Sequence, residues 1–217
     1  MKRTECWYKE TCTNDCNTCI IFTEMNWQMQ NSGLPEAKQR PIQLYITDSN
    51  GGDKNAFNRL ADIRKDIVNF VQTGGNLYIC SKWTGNGKTS WAIKMLHTYF
   101  HHTARGSYEN LRGMFVSTTD LLLNLKDFNN PLPKSYLENL RTVDLVVWDD
   151  IAISGMSNFD FNQLYSIIDY RLLAEKSNIF TSNQPDLEEL TKIMGSRLAS
   201  RIYHTSEIVE LKGKDMR

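Results

Sequence analysis

The segment that most restricts what this chain can become is Thr84-Gly85-Asn86-Gly87-Lys88-Thr89. It follows a short apolar run, Leu77 to Cys80, and opens an amphipathic run, Thr89 to Phe100. A glycine-rich turn between a buried strand and a helix is the setting of a phosphate-binding loop. Backbone N–H groups of such a turn converge on phosphate oxygens, and the positive end of the helix dipole adds to them. Thr84, Gly85, Asn86, Gly87, Lys88, Thr89 and Ser90 are therefore the candidate ATP-binding residues. Lys88 reaches the β- and γ-phosphates, and the Thr89 hydroxyl is a ligand for Mg²⁺. One position departs from the pattern G-x-x-x-x-G-K-[ST]. Lys82 stands where the first glycine is expected, which leaves Gly85 to supply the turn.

A loop of this kind calls for a second element, an apolar strand that ends in acid. Leu145-Val146-Val147-Trp148-Asp149-Asp150 supplies it, and the unbroken apolar run predicts burial on both faces. Asp149 is the candidate Mg²⁺ residue, acting through water; Asp150 is the candidate to orient or deprotonate an attacking water. Most ATPases of this design carry glutamate there, and the shorter aspartate favours slow hydrolysis. Thr181-Ser182-Asn183 ends the next strand, and Asn183 is the candidate contact to the γ-phosphate; the plainer reading is a turn before Pro185. Arg197 and Arg201 share one helical face. They are either a surface pair or arginines offered to a neighbouring subunit's nucleotide.

The periodicity around these motifs predicts an α/β fold. Phe57, Leu60, Ile63, Ile67, Phe70 and Val71 recur at helical spacing up to Gly74-Gly75. Strands at Leu77–Cys80, 114–116, 145–148 and 179–181 alternate with helices, and Glu207 to Leu211 alternates like an edge strand. That order implies a parallel sheet with helices on both faces. Trp83 and Trp91 flank the loop, Cys80 reads as a buried strand cysteine, and His97, His101 and His102 read as surface residues at a helix end. With 25 basic and 25 acidic residues among 217, the chain does not hold nucleic acid by bulk positive charge. No apolar run approaches the ~18 residues of a membrane span, and Met1-Lys2-Arg3-Thr4 does not open a signal peptide, so the sequence reads as cytoplasmic.

Four of the five cysteines, Cys6, Cys12, Cys16 and Cys19, crowd the amino terminus. In a reducing compartment four thiols this close rarely persist as disulfides, and a closed tetrahedral Zn²⁺ site explains the count. An iron–sulfur cluster, disulfides and free thiols are the alternatives. Such a site would fold a segment too short to fold alone. Ile20, Ile21, Phe22, Met25, Trp27 and Met29 follow, either packed on the metal knuckle or facing a partner. Asn31 to Gly52 reads as a linker. The division expected is a metal-binding and partner-binding module with its linker over 1–52 and an ATPase domain over 53–217.

Taken with Ser196-Arg197-Leu198-Ala199-Ser200-Arg201-Ile202, the segments 84–89, 143–151 and 181–183 resemble the bacterial and phage helicase loaders of the DnaC/DnaI type, within the AAA+ superfamily. The resemblance covers about Asn76 to Arg217. It implies a five-stranded AAA+ core that loads a hexameric replicative helicase of the DnaB/DnaC type onto single-stranded DNA. It also implies that Arg201 acts in trans on a neighbour's nucleotide, with Arg197 in support. Arg217 would lie near a second sensor, and Ser157 and Phe159 would contact single-stranded DNA, Phe159 by stacking on a base. On the plainer reading Phe159 and Phe161 start the core of a helix. Only six residues follow Leu211, which leaves no room for a carboxy-terminal lid and favours self-association through the ATPase domain. Two alternatives stand beside the loader: an IstB-like AAA+ transposition regulator, and an adaptor or inhibitor of a replication protein that keeps nucleotide for structure only.

Overall fold

The computed structural model describes residues 19–39, 42, 44, 53–104 and 110–213. Its frame is a five-stranded sheet of β1 (Asn76–Cys80), β2 (Gly113–Ser117), β3 (Leu145–Asp149), β4 (Ser177–Ser182) and β5 (Glu207–Glu210), in the order β2-β3-β4-β1-β5. Every pairing is parallel, with β5 an edge strand as its alternation predicts. Side chains of a strand alternate between faces. In β3, Leu145 and Val147 therefore enter one core while Val146 and Trp148 enter the other. This is the two-sided burial expected from the unbroken apolar run.

Four helices cover the first face: α1 (Ile20–Asn31), α2 (Lys54–Lys65), α3 (Ile67–Gln72) and α4 (Lys88–Thr103). The second face carries α5 (Thr118–Lys126), α6 (Lys134–Thr142), α7 (Asn158–Leu173), α8 (Leu187–Met194) and α9 (Ser196–Thr205). The single helix expected over Phe57–Val71 is two, because the backbone turns at Asp66 (φ −108°, ψ 30°) before α3 begins. Both helices keep their apolar faces on one core through Phe57, Leu60, Ile63, Ile67 and Val71. α6 is an element the periodicity does not announce, since Leu140 is its one fully buried residue.

α1 belongs to the packed unit. Met25 and Met29 are buried in the same core as Trp91, Leu96 and Phe115. The Gln28 side chain accepts from the Arg112 N–H and donates to the Asn110 carbonyl, both at 2.9 Å. Ser32 then offers its carbonyl to the Phe115 N–H at 2.7 Å, covering part of the β2 edge. Of the stretch read as a linker, Leu34 is buried in this core as well.

The histidine reading is corrected at one position. His97 is fully buried in α4 and has no surface role, whereas His102 is exposed. Burial, with Lys94 nearby, pulls the His97 pKa down to about 4. The unfolded chain therefore binds a proton below about pH 6.5 that the folded chain refuses, and stability falls as pH drops from there towards 4. The loss expected at pH 4 is on the order of 3 kcal/mol. Urea unfolding across this range, compared between the native chain and His97→Gln, checks it: the variant is expected to lack this part of the slope.

Candidate functional site

The loop between β1 and α4 adopts the conformation its glycines permit. Gly85 (φ 74°) and Gly87 (φ 94°) both occupy the left-handed region. Gly85 thus provides the turn that the absent first glycine does not, while Lys82 lies exposed with its ammonium 3.5 Å from Asp186. Gly87 caps α4, and its carbonyl accepts the Trp91 N–H at 2.9 Å. Asn86 is buried and fixes the loop from inside, donating to Ser81 Oγ at 2.5 Å and to the Leu211 and Gly213 carbonyls at 3.5 and 3.4 Å. Lys88 Nζ donates to the Trp83 carbonyl (2.8 Å) and to Asn86 Oδ1 (3.2 Å), which holds the ammonium over the loop.

The acidic strand end meets this loop directly. Asp149 Oδ1 accepts two hydroxyl hydrogen bonds, from Thr89 at 2.7 Å and from Thr181 at 2.8 Å. A carboxylate and a hydroxyl at this separation are the hard oxygen donors that Mg²⁺ prefers, so the residues present fit that ion. Asp150 sits at φ 49°, in the left-handed region that aspartate tolerates better than most residues. β4 holds the bend: the Asp150 N–H donates to Thr181 Oγ1 and the Ile151 N–H to the Thr181 carbonyl, each at 3.0 Å. Burial first, and Asp149 second, raise the Asp150 pKa, with Lys88 opposing. A carboxylate in that setting is a stronger proton acceptor than one in water.

Thr84, Gly85, Asn86, Gly87, Lys88, Thr89, Ser90, Asp149, Asp150 and Asn183 line one cavity of about 560 Å³. Arg197 and Arg201 are not in its wall. They line a separate concavity of about 450 Å³ with Tyr165, Ser196 and Ser200. Arg201 Nε lies 3.1 Å from Asp169 Oδ1, and the Arg197 guanidinium lies over the Tyr165 ring, 5.0 Å from its centre. Ser157 caps α7 in a reciprocal capping box with Asp160, whose carboxylate also accepts from Lys126 at 2.7 Å. Phe159 in the first turn is 40% exposed, whereas Phe161 stacks on Tyr165, so of this pair Phe161 is the one packed against the core. Trp91 packs on Phe57, and Trp83 is half exposed. Cys80 is buried, its thiol pushed up to about 12 by that burial. Arg217, Cys6, Cys12 and Cys16 lie outside the described residues; Cys19 is half-buried and immediately precedes α1. Among the described residues no cluster of three or more His, Cys, Asp or Glu side chains is placed to hold a metal ion. No helix among them is long and apolar enough to cross a membrane.

With this geometry in hand, comparison decides the family. The profile of the IstB-like ATP binding proteins matches residues 25–217. The chain belongs to this family. Among curated proteins it is 25% identical to the chromosomal replication initiator protein DnaA of Onion yellows phytoplasma over 206 residues, which is 93% of this chain and 37% of that protein. It is 26% identical to the replicative helicase loader DnaC of Escherichia coli K12 over 153 residues, 67% of this chain and 57% of that protein. The chain thus matches only about a third to a little over half the length of these relatives. The crystal structure of the DnaC helicase loader superposes with a TM-score of 0.62 at 22% identity, covering 85% of this chain and 99% of that one. The α/β fold with its five-stranded parallel sheet is therefore that of the DnaC helicase loader structure, in an ATP-binding family.

One residue in the wall of this cavity and one buried behind it escape a reading by motif. The strand-end motif points to Asn183, yet Trp148 pairs with Phe180, so Thr181, the next position on β4, lies beside Asp149 and donates to it. Strand order carries that information, and the motif does not. Lys38 lines the same cavity from 50 residues before Lys88, with no local pattern to mark it.

Proposed function

We propose that this chain is an ATP-hydrolysing loader that helps place a hexameric replicative helicase on single-stranded DNA. The observation that carries the reading is the convergence of Lys88, Thr89, Asp149 and Asp150 on one cavity, in a fold shared with the DnaC helicase loader. In this reading Lys88 neutralises the β- and γ-phosphates, and Thr89 and Asp149 hold Mg²⁺, which stabilises charge on the phosphates when bound. Asp150 takes a proton from the attacking water while Asn183 positions it. Arg201, tethered by Asp169 outside its own cavity, serves a neighbouring copy, with Arg197 beside it. The same reading gives exposed Phe159 a base to stack on, next to Ser157, gives Arg217 a sensing role at the nucleotide, and gives Cys6, Cys12, Cys16 and Cys19 a Zn²⁺ ion in a helicase-gripping module. Zero net charge is compatible with it, because the main partner is a protein and DNA contact is local.

Retention of a purified replicative helicase, with and without ATP, tests the proposal, together with ATPase activity titrated with single-stranded and duplex DNA. A loader is expected to retain the helicase in a nucleotide-dependent manner and to respond to single strands. Preference for duplex without helicase binding would favour the transposition regulator that the family name suggests. Helicase binding unchanged by Lys88→Ala would favour the adaptor.

A further inference from the structure

We infer that Lys38 is a nucleotide-binding residue, a second cation delivered to the phosphates by a segment that crosses α4; the inference rests on the ATP reading of the cavity. Lys38 lines the cavity together with the phosphate loop, Asp149 and Asp150. Its side chain is exposed, but its backbone is built into place from both sides. Upstream, the Ser32 carbonyl is bonded to the β2 edge and Leu34 is buried. Gly33 passes so close that a Cβ there would stand 2.6 Å from the Phe115 carbonyl oxygen, at a φ of +80° that L side chains avoid. A turn of 3-10 helix over Glu36–Lys38 follows, closed by Lys38 N–H to the Pro35 carbonyl at 2.7 Å and by Gln39 Nε2 to the Leu34 carbonyl at 3.0 Å. On the other side the Lys38 backbone meets the buried His97 of α4, and Lys94 Nζ donates to the Ile42 carbonyl at 2.8 Å. An ordinary surface lysine needs none of this.

The charge balance of the cavity says what such a lysine is for. Asp149 and Asp150 bring two carboxylates to a wall where the phosphate loop brings one ammonium, Lys88. A triphosphate adds several further negative charges, and Mg²⁺ offsets only part of them. An ammonium on a flexible stem is a phosphate binder that acts as a point charge. Among the described residues of the lining Lys38 is the other cation, and it comes from the stretch that joins the amino-terminal segment to the ATPase core.

Titration with the non-hydrolysable analogue AMPPCP tests this on the full chain, in the native form and as Lys38→Gln, Lys38→Arg and Lys88→Ala. Lys38→Gln is expected to weaken binding about tenfold, the worth of one charge-assisted contact, and Lys38→Arg to recover most of it. Gly33→Ala is expected to weaken binding too, and to add nothing in the Lys38→Gln background, because it acts through the placement of Lys38. Affinity of Lys38→Gln within twofold of the native chain, with Lys88→Ala still impaired, overturns the role of Lys38 and leaves the cavity reading intact. Equal loss in Lys38→Gln and Lys38→Arg overturns the charge argument. If the native chain binds no AMPPCP, the ATP reading fails and this inference fails with it.

Discussion

Alanine in place of Lys88 is expected to weaken ATP binding by about a hundredfold or more while leaving the fold in place. The ammonium sits at the first turn of α4, and it donates to the Trp83 carbonyl and to Asn86 Oδ1, both in the loop itself. Nothing in either apolar core depends on it. Hydrogen bonds to charged groups contribute about 1.5–3 kcal/mol each, and two phosphate oxygens bound by one ammonium give about 3 kcal/mol or more. That is at least about two powers of ten in affinity. The cost to the free protein is smaller, since the Trp83 carbonyl lies in a loop beside solvent and Asn86 keeps its bond to Ser81. AMPPCP titration paired with thermal unfolding separates the two quantities. An affinity that falls less than about fivefold would mean that the cavity is not the nucleotide site; a collapse of the melting transition would mean that Lys88 is structural.

The residues that define this site were legible because their chemistry is local. Thr84 to Gly87 lie between a strand and a helix in sequence and in space, with Lys88 and Thr89 opening that helix, and Asp149 ends an apolar run that becomes an interior strand. Ser117, a hydroxyl residue set between the apolar run Met114-Phe115-Val116 and a helical stretch, caps α5 by accepting the Asp120 N–H. What the chain hides is long-range. Met25 and Met29 look equally suited to a metal knuckle, a partner face or a core, and only the packing against α4 distinguishes these. His97 is one of three histidines near a helix end, and its burial follows from the segment that crosses over it, not from its own neighbours in sequence. Arg197 and Arg201 share a face as their spacing dictates, but that they face Tyr165 and Asp169 of α7 depends on how two helices pack. α6 is faint in the sequence for a related reason: a helix with one fully buried residue leaves little periodic signal.

The largest effect on folding is expected at a residue that no motif marks. Arg171, near the end of α7, is fully buried, and among the described residues no carboxylate lies within hydrogen-bonding range of its guanidinium. It is satisfied instead by oxygen atoms of α6, of the residue that follows it, and of β4. Nε donates to Asn178 Oδ1 at 2.8 Å, Nη1 to the Leu140 and Val143 carbonyls at 3.1 and 2.9 Å, and Nη2 to the Ser177 carbonyl at 2.6 Å. Leu140 and Val143 stand at the carboxy-terminal end of α6, where helix carbonyls lack partners and the dipole is negative. The guanidinium therefore caps α6 and ties it to the entry of β4. Burial pulls its pKa down to about 9, which still leaves it charged at neutral pH. Arg171→Met removes the cost of burying that charge but strands its acceptors. Unpaired buried acceptors cost about 1–3 kcal/mol each, so a net loss of about 3 kcal/mol is expected, a large share of a typical domain's 5–15 kcal/mol. Arg171→Lys is expected to recover only part, because an ammonium cannot reproduce the planar fork. Urea unfolding gives the magnitude, and hydrogen exchange gives the location, with faster exchange expected over 140–145 and 177–180. A loss below about 1 kcal/mol, or exchange that rises evenly along the chain, would show that α6 and β4 do not depend on this cap.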